Sequence, residues 1–357
     1  MKLVKLGSPT VVMSNPLSKH NYFAWPTAVR LQNGRIAVVA SGFRLRHICP
    51  FGKTVIAYSD DDGETYTAPA PVIDTVLDDR DGGITPFGSQ GVIVTSFNNT
   101  TDMQRSYAKD DYSLAYLDTV TPEEQAEVLG STFRISQDCG VTFGPLYKSP
   151  ITSPHGPIEL TDGTLLWVGR VFSPVDQASD RICAYRLDPS TGAMTYVGEI
   201  EQIERDGQEW MSCEPHAIQL SDGRILVHIR VDYKCEDRVL TIFQSESSDG
   251  GVTWSKPKQI LARAGGAPPH LFRHSSGTLI CTYGHRKGPF GIKAMLSRDE
   301  GKTWEIDHEL WNDGVSWDLG YPSTIETKDG NLLTIFYAHL SEDEPAVILQ
   351  QKWKIED

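Results

Sequence analysis

The feature that most constrains the fold is a β-hairpin that recurs along the chain. Its clearest copy runs from Cys213 to Arg230, where an alternating apolar strand, a Ser-Asp-Gly turn and a second alternating strand follow one another. Related hairpins turn at Gly34, Gly91, Gly163, Gly277 and Gly330, and with Gly223 the six turn glycines lie 53 to 72 residues apart. A repeat of that length holding one hairpin or more is the size of a propeller blade. The 357 residues are therefore expected to form one all-β domain, 1–357, built as a six-bladed β-propeller. The N-terminal run Lys2 to Met13 and the C-terminal run Ala346 to Ile355 have no hairpin of their own and are expected to share the sixth blade. That arrangement closes the ring and protects the sheet edges.

A second repeat, Ser-x-Asp-x-Gly-x-Thr-aromatic, falls between the hairpins. It occurs at Ser59 to Tyr66, Ser136 to Phe143, Ser247 to Trp254 and Ser297 to Trp304, with a degenerate copy at Asp188 to Gly192. Asp bonds the backbone of such a turn, Gly supplies positive φ, and the ring packs between sheets, so the motif is structural and should sit on the periphery. Helix signals are few. Thr121-Pro-Glu-Glu reads as a capped helix start, with Thr121 as N-cap and Glu124 at the third position.

Composition excludes several partners. The net charge of −14 gives no long-range attraction for nucleic acid or an anionic membrane surface. No apolar run has the length of a signal-peptide core or a membrane span, so the expected location is cytoplasmic. Six scattered cysteines, Cys49, Cys139, Cys183, Cys213, Cys235 and Cys281, show no metal-binding spacing and read as free thiols. Neither a metal nor another cofactor is expected.

The start of the first strand and the end of the second meet at one end of every hairpin, so six radial copies build one ringed pocket. Counting from the turn glycines, nine positions upstream fall Trp25, Gly82, Pro154, Glu214, Pro268 and Tyr321. Downstream at matching parity come Arg170, Arg230 and Arg286. Guanidinium groups converging on one point suit a planar carboxylate, so the expected substrate is anionic. His155, His216 and His270 open first strands in consecutive units and are expected on the same wall, donating to the substrate or acting as a general acid. Trp25 would stack on a ring of the substrate.

The four eight-residue turns are Asp-boxes, and through them the chain resembles the sialidase (neuraminidase) superfamily of six-bladed propellers. The run from Glu214 to Arg230 resembles the family's glutamate-to-arginine hairpin, Gly320-Tyr321-Pro-Ser its nucleophile segment, and Gly284-His-Arg286 its third arginine. What the resemblance implies is a glycoside hydrolase acting on an acidic oligosaccharide or glycoside, sialic acid or a relative, by a retaining route. Tyr321 would be the nucleophile, Glu214 its base, and Arg230 and Arg286 the carboxylate clamps. The sequence departs from the family at two points. Ala24-Trp25-Pro26 replaces the arginine that opens its first repeat, and the loop Phe43 to Lys53 holds no carboxylate where the family carries an acid/base aspartate. Arg44 or Arg46 is a substitute for the missing clamp, and Asp79 or Asp81 for the acid. Two alternatives stay open: different chemistry on uronic-acid glycans, by elimination or histidine-dependent hydrolysis, and a non-catalytic carbohydrate-binding propeller.

Overall fold

A computed structural model describes residues 1–173, 180–205, 208–233, 239–261 and 265–356. Six antiparallel sheets follow one another around a ring, and the chain is a six-bladed β-propeller. Blade 1 holds Tyr22–Arg30, Ile36–Arg44, Lys53–Ser59 and Ala70–Ile73, and blade 2 holds Arg80–Phe87, Gly91–Phe97, Ser131–Ser136 and Tyr147–Ser149. Blade 3 spans Ile151–Thr152 to Met194–Ile200, blade 4 Met211–Gln219 to Lys258–Leu261, and blade 5 Gly266–Arg273 to Glu305–Gly314. Blade 6 combines Gly320–Glu326, Leu332–His339 and Ala346–Glu356 with both N-terminal strands, Lys2–Lys5 and Thr10–Met13, which pair with Ala346–Glu356. The two chain ends thus share one sheet, as expected.

Each blade is too thin to have an interior of its own. The apolar side chains instead form six clusters, one in each seam between neighbouring blades. Val39, Ile56 and Val94 fill the seam between blades 1 and 2, for example, and Ile335 packs with Val38 and Phe23 where blade 6 meets blade 1. Burial between sheets drives ring closure, because every seam left open would expose a cluster to water. Trp210 fills the seam between blades 3 and 4, stacked on Tyr233 with ring centroids 4.8 Å apart.

The Asp-box turns behave as designed by their chemistry. In the first, Ser59 Oγ donates to Asp61 Oδ1 at 2.7 Å and accepts from Gly63 N, while Thr65 N donates to Asp61 Oδ1 at 2.8 Å. The same bonds recur at Asp138, Asp249 and Asp299, all on the outside of the ring. Asp188 makes a reduced version with Ser190 and Thr191.

Three short helices, α1 (Thr101–Tyr107), α2 (Asp111–Leu117) and α3 (Pro122–Val128), lie between the second and third strands of blade 2. Only α3, with its Thr121–Glu124 capping box, was legible as a helix; α1 and α2 begin at Thr100 and Asp110 without an apolar period long enough to announce them. No helix among the described residues is long and apolar enough to cross a membrane. Cys49, Cys139, Cys183, Cys213 and Cys281 are free and buried, and Cys235 lies outside the described residues.

Candidate active site

The first strands of blades 1, 2, 4 and 6 carry the same irregularity. In blade 4 the pairing passes from Cys213 opposite Arg230 to His216 opposite His228, so an additional residue is accommodated at Glu214. Blades 1, 2 and 6 show the same shift around Trp25, Asp81 and Tyr321. All four residues adopt left-handed backbone, with φ of 56, 47, 49 and 48° for Trp25, Asp81, Glu214 and Tyr321. A non-glycine residue held there costs of order 1 kcal/mol or more, and such strain concentrates at functional sites. The bulge re-aims a side chain that an unbroken strand would send elsewhere.

Blade 2 corrects the register. Gly91 begins a strand and has no positive φ, and the turn is made at Gly88, with φ of 54°. Anchoring that unit on Gly91 shifts it by one residue, so the position equivalent to Glu214 and Tyr321 belongs to Asp81 and not to Gly82.

These bulges border a pocket of about 420 Å³. Trp25, Arg80, Arg230, Arg286 and Tyr321 line it, with His47 and the exposed Trp317 at the wall. Tyr321 Oη donates to Glu214 Oε1 at 2.6 Å, and Arg230 Nη1 donates to Glu214 Oε2, also at 2.6 Å. Arg286 donates from Nε to the Leu319 carbonyl at 2.9 Å and from Nη2 to Tyr337 Oη at 3.1 Å, and it lies 5.4 Å from the Tyr321 ring centre. Arg230 and Arg286 therefore face one shared space. Burial, followed by the charges of Glu214 and Asp81, pushes the Tyr321 hydroxyl well above its ordinary pKa, although Arg230 and Arg286 oppose the shift. Burial also raises Glu214, yet Arg230, the Tyr321 hydroxyl and Arg286 together hold it below the ordinary value. The pair is a neutral phenol donating to a carboxylate.

Asp81 is buried, its Oδ1 has no protein partner among the described residues, and its charge acts on both Glu214 and Tyr321. Burial lifts its pKa to about 7, against the pull of Arg80 and with the help of Glu214. Asp79 also rises to about 7 through burial, but it is occupied by Thr75 and Asn98 within the strand connection.

Three expected pocket residues are elsewhere. Arg44 is fully buried in an ion pair with Asp78 at 2.5 Å and donates to Ser41 and the His47 carbonyl, so it braces the loop behind Trp25. Arg46 turns outward to pair with Asp110 of the helical segment. Arg170 pairs with Asp180 at 3.1 Å on blade 3. The guanidinium that joins those of Arg230 and Arg286 is that of Arg80, 4.1 Å above the Trp25 ring, and Lys287 also lines the pocket. Its sequence signal, one residue before Asp81 in Asp78-Asp-Arg-Asp, was hidden by the register error at Gly91. Trp25 lines the pocket, yet it is almost wholly buried between Arg80, Arg44 and His47, so it offers the substrate little free face.

The histidines also require correction. His155, His216 and His270 do converge, with ring centroids 4.6 to 4.9 Å apart, but they line a second cavity of about 510 Å³ nearer the hairpin turns. His216 and His270 sit just beyond the register shift, where the strand has returned to regular pairing, and His155 lies in the turn before Ile158–Glu159. His216 Nδ1 accepts from Leu271 N at 2.8 Å, and His270 Nδ1 from Thr324 N at 3.3 Å, so both rings are neutral anchors between blades. His155 Nδ1 is 3.0 Å from Thr27 Oγ1. They do not line the arginine pocket.

Comparison with known proteins agrees with this architecture. A protein of unknown function from Dyadobacter fermentans superposes with a TM-score of 0.77 at 18% identity, over 99% of both chains. The NanB sialidase of Streptococcus pneumoniae gives 0.70 at 13% identity, over 98% of this chain and 71% of its own. The intramolecular trans-sialidase of Ruminococcus gnavus gives 0.65 at 13%, over 97% of both. At these identities the likeness is one of fold. No curated protein matches the chain by sequence. The family model described as BNR repeat-like domain matches residues 107–334, more than half of the chain, and the protein belongs to that family.

Proposed function

We propose that the protein is a glycosidase of acidic sugars, a sialidase-like hydrolase that forms a covalent intermediate on Tyr321. The observation that carries this reading is the 2.6 Å hydrogen bond from Tyr321 to Glu214 beside Arg230, in a pocket that Arg80 and Arg286 also line. Three guanidinium groups offer paired donors to the sugar carboxylate and keep their charge when the pocket closes on it. In a chain of net charge −14 this basic spot selects a small anion and not a polyanionic surface. A neutral phenol approaches the anionic sugar without the repulsion that a carboxylate nucleophile would meet. Because Tyr321 is held well above its ordinary pKa, its proton leaves only as attack proceeds, and Glu214 receives it. Asp81, one of the two carboxylates the sequence offered as an acid, is raised to about 7 by burial and acts on this pair.

The test is kinetic. Tyr321→Phe is expected to bind an acidic-sugar analogue with little change and to lose turnover by about a thousandfold or more. Glu214→Gln removes the anion beside Arg230, so it should bind the analogue at least as tightly while losing turnover. Unchanged turnover in Tyr321→Phe eliminates the covalent route. A second reading, elimination on a uronic-acid glycan, draws on the histidine that faces the pocket, His47. It predicts an ultraviolet-absorbing unsaturated product where hydrolysis gives none.

A further inference from the structure

The loop from Phe43 to Lys53 supplies no carboxylate, but it brings His47 to the wall of the arginine pocket, between Trp25 and Trp317, at ring-centroid distances of 5.0 and 5.9 Å. The residue is fixed from two sides. Its carbonyl accepts from Arg44 Nη2 and from Arg80 Nη1, each at 2.8 Å. Its Nδ1 lies 2.9 Å from Asp318 Oδ1, with Tyr22 Oη at 3.3 Å. Asp318 also accepts from Tyr22 at 2.7 Å and Tyr337 at 2.8 Å and lies 3.2 Å from His339 Nε2, contacts that hold it far below the ordinary carboxylate pKa although burial opposes them. An ionised carboxylate only accepts, so the proton of neutral His47 belongs on Nδ1. Nε2 is left without a protein partner among the described residues, on a side chain that is 34% exposed.

We propose that His47, oriented by Asp318, is the catalytic residue that exchanges the proton with the leaving group and with water. The inference rests on the glycosidase reading of the pocket. A group that protonates a departing alcohol must stand where the alcohol leaves for solvent, and His47 meets that condition. Asp81 is only 7% exposed and acts on Glu214 and Tyr321, which places it under the sugar and not on the exit side.

The steps balance. Protonated His47 gives its Nε2 proton to the glycosidic oxygen as that oxygen's bond to the anomeric carbon breaks. The Tyr321 oxygen forms the new bond and passes its proton to Glu214. In the second half the attacking water gives a proton to His47 Nε2, the bond to the Tyr321 oxygen breaks, and Glu214 returns the proton to that oxygen. The net change is glycoside plus water to free sugar plus alcohol.

The charged and titratable groups facing His47 are Asp318, Tyr22, Arg80 and Arg44, with His339 behind Asp318. Burial lowers the His47 pKa below 6.5, and Arg80 and Arg44 add to the shift, against the Asp318 hydrogen bond. The acid form needed for the first half is therefore lost as pH rises through a value under 6.5, and kcat/KM should fall on that side.

Leaving-group dependence tests the assignment. On the intact protein, an alkyl glycoside of the acidic sugar needs a proton to depart, whereas an activated aryl glycoside does not. His47→Ala is expected to lose about 100-fold or more on the alkyl substrate and less than about tenfold on the aryl one, with His47→Gln behaving alike if the alanine variant folds poorly. Asp318→Asn should show the same selectivity and move the alkaline limb of the profile to lower pH, which a purely structural role does not do. Equal losses on both substrates for both His47 variants overturn the proposal, and the selective pattern in Asp81→Asn instead assigns the acid to Asp81. If the wild-type protein turns over no acidic glycoside of either kind, the glycosidase reading itself fails, an outcome distinct from any pattern among the variants.

Discussion

At the scale of single residues, two arginines of the same region have opposite tasks. Arg44 is wholly buried with Asp78, and removing one partner of such a pair leaves an uncompensated charge that costs about 3–5 kcal/mol. Arg80 also touches Asp78, at 3.4 Å, but it lines the pocket. Arg44→Ala is therefore expected to lower the unfolding temperature strongly. Arg80→Ala is expected to weaken binding of an acidic-sugar analogue by about 1.5–3 kcal/mol, tenfold or more, with a smaller effect on stability. Calorimetric titration and thermal melts on the two variants separate the tasks. If Arg44→Ala loses affinity at unchanged stability, the roles have been assigned the wrong way round.

At the scale of elements, the hairpin repeat was legible because turn glycines and strand alternation are local signals, and so were Asp-box turns whose bonds stay within eight residues. Glu214 and Tyr321 were found by counting back from those glycines, and they are in hydrogen-bond contact across the ring. Counting failed where a turn departed from the pattern, in blade 2, and there it hid Arg80 and the equivalence of Asp81. His47 and Asp318 were missed for a different reason: each is in a segment between strands, and their pairing spans 271 positions, so no spacing rule reaches it. The histidine row was found but misplaced, because parity along a strand does not show on which side of a bulge a side chain emerges. The ring closure itself is open to test. Removing residues 1–13 strips both N-terminal strands from Ala346–Glu356 and exposes the edge of an eleven-residue strand. The truncated chain is expected to melt at lower temperature and to self-associate, as a long bare edge does. Light scattering and a thermal melt check this, and a monomer of unchanged stability would show that the two strands do not close the ring energetically.

At the scale of the whole molecule, the three histidines near the centre of the propeller tie stability to pH. Burial is the first cause that lowers the pKa values of His155, His216 and His270, and neighbouring histidines add to it. His228, with its Nε2 3.1 Å from Gln244, is lowered in the same way, and both it and His216 fall to about 3. In the unfolded chain these groups take up protons below about pH 6.5, while the folded chain keeps them neutral, so the unfolded state binds more protons as pH falls. Stability is thus fully present above pH 6.5 and declines on acidification, by up to about 1.4 kcal/mol per pH unit for each such histidine. His339 acts in the opposite sense, since the Asp318 hydrogen bond raises its pKa and its contribution is present in acid and lost as pH rises. Asp79 and Asp81, raised to about 7 by burial, act in the same sense as His339, and the lowered histidines, with His47 a fifth, outnumber these three. Urea midpoints measured between pH 7.5 and 5 are expected to fall steadily with pH. His216→Gln, which keeps an acceptor for Leu271 N, should flatten the slope by about one proton. A wild-type midpoint that does not move over this range contradicts the linkage. The consequence for activity is a bounded window: the loss of the His47 proton sets its alkaline side, and protonation of the unfolded state's histidines erodes the scaffold on its acid side.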